Sequence, residues 1–328
     1  MSLSSSGERS RDGFQWVPGN PSRQGLTARD ARRVPGLERT WEVDVTTELI
    51  SPRAIHGPHR LRVTLPRGYG IDPDRRHSVL YLLHGGDGGS SAQWTTGGGQ
   101  AEQLTESSDL IVVMPDGGKV GWYVDWVDDC RVPQAWEQYH LGQLVPWVDA
   151  NLATIADRSA RAIAGISMGG FGAVRYAQRR PDLFCYVASF SGALSLGHHL
   201  VRNTIRQQSA INRFGASGPF GIGRRARWAH EDPRRRLDAL RYVRVALYSG
   251  PGTSLLDPIE RTVAATTRGM HRALTVAGID HRYWTPQPPG PARRVRSEHS
   301  FPCWNAALGD LLPDLSSHLA FDYTKRVR

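Results

Sequence analysis

Along the first third of the chain, hydrophobic and polar residues alternate. Trp41, Val43 and Val45, and then Leu61, Val63 and Leu65, occupy every second position, the period of a strand with one buried and one wet face. This predicts two antiparallel strands at the edge of a sheet. Further on the alternation stops. Residues 79–83, 110–114, 162–164, 186–188 and 243–248 are short, mostly apolar runs, each closed within two residues by Gly, Pro or Ser. Such runs fit strands covered on both faces. Helix-periodic stretches lie between them: 138–152 with Leu141, Leu144, Val145 and Val148, 169–180 with Val174, Tyr176 and Ala177, and 258–277. The alternation of strand and helix predicts an α/β fold, a mostly parallel central sheet with helices on both faces.

Two segments break the rhythm. Residues 1–38 are rich in Ser, Arg, Gly and Pro, with too few apolar side chains to offset the entropy of ordering them. They read as a flexible N-terminal tail ahead of one domain over 39–322. Residues 193–240 are basic and contain several glycines. A structureless loop of that length is unusual in a compact domain, so short helices forming a cap near the active site are expected.

Composition removes several function classes. The formal net charge is +10, which would suit a polyanion partner. The basic residues are almost all Arg and are dispersed, with only Lys119 and Lys325 as lysines, and no nucleic-acid module is visible, so no nucleic acid is expected as partner. No glycine-rich dinucleotide or phosphate loop follows a strand. No H-E-x-x-H appears, and His198-His199 is too close a pair to span a metal site. Neither cofactor nor metal is therefore expected. Cys130, Cys185 and Cys303 lack C-x-x-C spacing and read as reduced thiols. With no apolar run of membrane-spanning length and no secretory pattern among the first residues, a cytoplasmic protein without a membrane span is expected. Oligomeric state is not legible.

The candidate chemistry centres on Gly165-Ile166-Ser167-Met168-Gly169. It matches the G-x-S-x-G elbow, in which a serine occupies a sharp strand-to-helix turn that only small neighbours permit. Five residues alone are a weak signal. The apolar strand before it and the small-residue helix after it supply the context the motif needs. His84-Gly85-Gly86-Asp87-Gly88 follows the buried run 79–83, where such hydrolases place one backbone donor for the tetrahedral oxyanion. The expected donors are the N–H groups of Gly86 and Met168. The base should be a late histidine. His271 falls within a helix, His281 within the last strand and His318 at a helix end, which leaves His299 in the loop before the final helix. The acid stays open on spacing. Asp257 and Glu260 both follow the run 243–248, and they also read as a helix N-cap and its third-position partner. Trp94, Trp122, Trp126 and Phe301 are candidates to line a substrate pocket, although large aromatics often belong to a core.

The ordered set formed by 81–86, 113–118, Gly121 to Trp126, Trp136-Glu137, the elbow with Gly170-Phe171-Gly172, 189–192, and His299-Ser300-Phe301 with Trp304 resembles the esterase D and mycolyltransferase group of α/β-hydrolases. The likeness covers about residues 40–315. It implies an α/β-hydrolase fold, an acyl-serine intermediate on an ester or thioester, and Glu260 in place of Asp257 as the acid. It also implies a small-molecule or lipid acyl ester as substrate, with transfer to an alcohol or amine acceptor as the alternative to hydrolysis. A non-catalytic binding member is the remaining alternative. The chain departs from the mycolyltransferases at His84 and Asp87, where those have an aspartate and an arginine, and at Phe301, where they have a tryptophan. All three touch the region that holds sugar in that group, which speaks against trehalose and mycolic acid as substrates.

Overall fold

A computed structural model describes residues 25–52, 54, 59–86, 88–126, 134–212, 218–285 and 298–320. Its strands are β1 (Thr27–Arg33), β2 (Thr40–Thr46), β3 (His59–Thr64), β4 (Ser78–Leu83), β5 (Leu110–Pro115), β6 (Arg161–Ile166), β7 (Tyr186–Phe190), β8 (Arg244–Tyr248) and β9 (His281–Trp284). They form one sheet in the order β1-β2-β3-β5-β4-β6-β7-β8-β9. The first four in that order pair antiparallel, and from β5 to β9 every neighbour is parallel.

The apolar runs become the middle strands because both of their faces are covered. Val79, Tyr81 and Leu83 of β4 enter one core, and Leu80 and Leu82 enter the core on the opposite face. Helices cover the two sides: α1 (Ala101–Leu104), α2 (Val145–Asn151), α3 (Met168–Arg179), α4 (His199–Ile211), α5 (Arg225–His230), α6 (Pro258–Val276) and α7 (Phe301–His318). Leu308, Leu311 and Leu315 of α7 pack on one face. Val174 and Ala177 of α3 pack on the other.

Two expectations about the early chain need correction. The tail expected over 1–38 ends sooner, since Thr27–Arg33 is a strand paired with β2. Its apolar content is low because its outer side chains are carried by ion pairs. Arg32 reaches Glu42 at 2.5 Å and Asp44 at 2.9 Å. For the same reason the alternating segments are not the sheet's edge: β2 lies between β1 and β3, and β3 between β2 and β5. The face read as wet carries Glu42 and Arg62, bonded at 2.8 Å and both nearly buried.

Residues 199–211 and 225–230 of the basic segment are the helices α4 and α5. A buried ion network ties this segment to α3. Arg175 Nε donates to Glu231 at 2.5 Å, Nη2 to Glu137 at 2.6 Å, and Nη1 to the Tyr123 carbonyl at 3.2 Å. Burial raises the Glu231 pKa, but Arg175, by charge and hydrogen bond, outweighs it with help from Arg227 and Arg179 and holds the carboxyl down to about 2. Replacing Glu231 with Gln leaves the buried Arg175 with Glu137 as its one remaining acidic partner among the described residues, and is expected to destabilise the fold by about 2–4 kcal/mol at neutral pH. A carboxyl with a depressed folded pKa stabilises above its ordinary value near 4.5 and loses that contribution as pH falls towards 2. Urea titrations of the two proteins should therefore differ most at pH 7 and converge in acid.

Candidate active site

Ser167 sits between β6 and α3 with φ of 53° and ψ of −115°, a region that residues with a side chain rarely occupy. The turn closes because its flanks have no side chains. A Cβ on Gly165 would lie 2.4 Å from the Gly169 backbone, and one on Gly169 would lie 2.5 Å from the carbonyl oxygens of Leu83 and His84. Ser167 N–H donates to the Phe190 carbonyl at 2.9 Å, fixing the turn against β7. Two neighbours, Trp122 and Ser191, also hold positive φ, of 54° and 49°. Strain is thus gathered around one spot.

The loop after β4 lies against this turn. A Cβ on Gly85 would stand 3.6 Å from that of Ser167, and one on Gly86 would stand 3.6 Å from Met168 Sδ. Met168 opens α3, so its N–H has no acceptor within the helix. Gly86, Ser167, Met168 and His299 line one cavity of about 360 Å³.

His299 precedes α7, where the sequence placed it. Its Nδ1 is 2.8 Å from Glu260 Oε2, with the imidazole 12% exposed and the carboxylate fully buried. The other Glu260 oxygen accepts from Gly250 N–H at 2.6 Å and Ser191 Oγ at 3.0 Å. Asp257 does different work. It caps α6 by accepting from Glu260 N–H at 2.9 Å, and its second oxygen accepts from His299 N–H, also at 2.9 Å. One carboxylate therefore meets the ring while the other holds the backbone on either side. His271 and His281 bond to each other at 2.7 Å, and His318 turns back on the Asp314 carbonyl.

Several pocket candidates lie elsewhere. His84 is buried, and burial pushes its pKa down to about 4. It is neutral, with Nδ1 bonded to the Gly85 carbonyl at 2.6 Å and Nε2 accepting from Gly117 N–H at 2.7 Å. It pins the loop and does not line the cavity. Trp94 is core, donating to the Leu83 carbonyl at 3.0 Å. Trp126 donates to the Gly121 carbonyl at 3.1 Å, and Phe301 packs between Trp94 and Trp304. Their size suited them to filling space behind the site. Of the four aromatics, Trp122 alone lines the cavity. Asp87 and Cys130 lie outside the described residues.

The sequence reading missed the cavity's outer wall. Leu200, Val201, Thr204 and Gln208 of α4 supply one side, and Ile259 and Val263 of α6 the other. Their spacing of three, four and eight is a helix face, a signal obscured by the Arg and Gly around it. Trp304 was noted only within a motif. Its Nε1 donates to Ser191 Oγ at 3.3 Å, and its ring stands edge-on to His299 at 4.9 Å.

The Esterase family model, described as "Putative esterase", matches residues 53–315. The chain belongs to the Esterase family. One relative, Esterase Rv1288 of Mycobacterium tuberculosis, is 36% identical over 230 residues, which cover 67% of this chain and 50% of that protein. The chain thus spans half the length of that curated relative. Diacylglycerol acyltransferase/mycolyltransferase Ag85A of Mycobacterium leprae is 26% identical over 228 residues, 65% of this chain and 66% of that protein. The crystal structure of Mycobacterium tuberculosis MPT51 superposes with a TM-score of 0.64 at 21% identity, covering 83% of this chain and 98% of that one. This Esterase-family chain has the α/β-hydrolase fold. Among the described residues no helix is long and apolar enough to cross a membrane, and no cluster of three or more His, Cys, Asp or Glu side chains is placed to hold a metal ion.

Proposed function

We propose that this chain is a serine carboxylesterase that carries the acyl group on Ser167. The observation that carries the reading is the 2.8 Å bond between Glu260 and the imidazole of His299, with that imidazole, Ser167 and the Gly86 and Met168 backbone around one cavity. Glu260 accepts from Nδ1–H and so leaves the other ring nitrogen unprotonated, ready to take a proton. Ser167 Oγ attacks the ester or thioester carbonyl as His299 removes its proton. The carbonyl oxygen becomes an oxyanion held by the two N–H groups, and His299 returns the proton to the departing alcohol or thiol. Water, deprotonated by the same imidazole, then releases the acid and restores the serine. The small-molecule or lipid acyl chain lies in the cavity between α4 and α6.

Acyl transfer is the second reading. The outer wall contributed by Leu200, Val201, Ile259 and Val263 is apolar, and excluding water there would favour an alcohol or amine as acceptor. The name of the Mycobacterium leprae relative points the same way. Both readings are tested with p-nitrophenyl esters of rising chain length, with and without added alcohols, by mass spectrometry of the products. Free acid throughout supports hydrolysis, acyl-alcohol product supports transfer, and no p-nitrophenol release above buffer contradicts both.

A further inference from the structure

A second groove of about 360 Å³ opens beside the cavity at Ser167. It shares Leu200, Pro258 and Thr262 with that cavity, and His198, Arg261 and Arg268 line the part beyond. Pro258, Arg261, Thr262 and Arg268 follow the three-and-four spacing of one helix face, so the groove runs along α6 away from the mouth. Six residues at 1.5 Å each put Arg268 about 9 Å past Thr262.

The charge in this groove has one sign. Arg268 Nη1 donates to the Pro251 carbonyl at 3.1 Å, and no carboxylate among the described residues pairs with Arg261 or Arg268. The buried arginines Arg62, Arg161 and Arg175, by contrast, each meet an acidic side chain. His198 is pushed below its ordinary value first by burial and then by His199 and Arg234. The carboxylates at the edges of α6 are occupied. Asp257 accepts from two backbone N–H groups, and Glu298 accepts from Gly252 N–H at 2.9 Å.

We propose that this groove binds an anionic group, carboxylate or phosphate, of the same ester or thioester whose acyl carbonyl meets Ser167. An apolar stem crosses Leu200 and Pro258, and the anion beyond it takes charge-assisted hydrogen bonds from the two guanidinium groups. The inference rests on the esterase reading and narrows its substrate class. The anion belongs either to the far end of the acyl chain or to the leaving group, and the experiment separates the two.

In one arm, kcat/KM is measured for p-nitrophenyl esters of dicarboxylic acids with one free carboxylate, against esters of fatty acids of equal length. In the other, acyl thioesters of coenzyme A are compared with the same acyl groups on phosphate-free N-acetylcysteamine. In one arm the anionic member should be preferred by about 10- to 100-fold, the worth of one charge-assisted hydrogen bond. The preference should fall close to parity in an Arg261→Gln, Arg268→Gln double variant. It should persist in part when both are Lys, and in full in Arg225→Gln, which removes an exposed charge on α5 outside the groove. Parity in both arms with the unaltered protein, or a preference that survives the double Gln variant, overturns the groove assignment. Because the neutral substrates report Ser167 chemistry alone, their cleavage without selectivity overturns the groove only. Absence of all cleavage overturns the esterase reading and the groove together.

Discussion

Ser167→Ala should lower kcat for ester cleavage by about 10⁴- to 10⁶-fold, the range seen when the nucleophile of a serine, histidine and acid set is removed. What remains is the contribution of binding and of the Gly86 and Met168 donors. Stability should change little. The turn is fixed by Ser167 N–H to the Phe190 carbonyl, which alanine keeps, and alanine tolerates φ of 53° no worse than serine. Initial rates with a p-nitrophenyl ester and a urea titration of both proteins measure the two quantities. A variant that folds normally and retains more than a tenth of the activity would contradict the assignment.

The second large effect separates two acidic residues three positions apart. Glu260→Gln is expected to reduce kcat by about 10³- to 10⁴-fold through the tautomer of His299. Glu260 Oε1 faces two donors, Gly250 N–H and Ser191 Oγ. The glutamine carbonyl oxygen will therefore take that side, and its NH₂ will face Nδ1. The imidazole must then accept at Nδ1 and carry its proton on the nitrogen that should receive one from Ser167. Asp257→Ala acts differently. It removes the cap of α6, at about 1 kcal/mol of stability, and frees the backbone of His299, which misplaces the ring and lowers kcat by up to about 10²-fold. Loss of turnover in Asp257→Ala with near-normal turnover in Glu260→Gln would reverse the roles.

Much of the fold was legible because it depends on which faces are covered. Apolar runs without alternation, such as 79–83 and 110–114, became the central parallel strands β4 and β5, whose residues are all buried. β1 was not legible. Its core contribution is small, and its pairing is supported by Arg32 contacts to Glu42 and Asp44 that no periodicity reveals.

The site divides along similar lines. That Ser167, Gly86 and Met168 meet at one cavity was readable because a sharp turn demands glycines at fixed places around it, and that His299 joins them because chain order leaves few histidines to consider. Spacing could not decide between Asp257 and Glu260, since both positions serve a helix start equally well. The decision lies in which side chain points at Nδ1, a property of the folded loop. His84 and Trp94 misled for a related reason. A polar or aromatic residue beside a catalytic motif can serve the loop's backbone, as His84 does for Gly85 and Gly117, without touching the cavity.

The most direct test of an acyl-carrying Ser167 is covalent. A fluorophosphonate should add once per chain, and peptide mapping should place the adduct on residue 167, with no labelling of Ser167→Ala and labelling at least about 10³-fold slower in His299→Ala. An adduct on another residue, or labelling undiminished in Ser167→Ala, would mean that the nucleophile lies elsewhere.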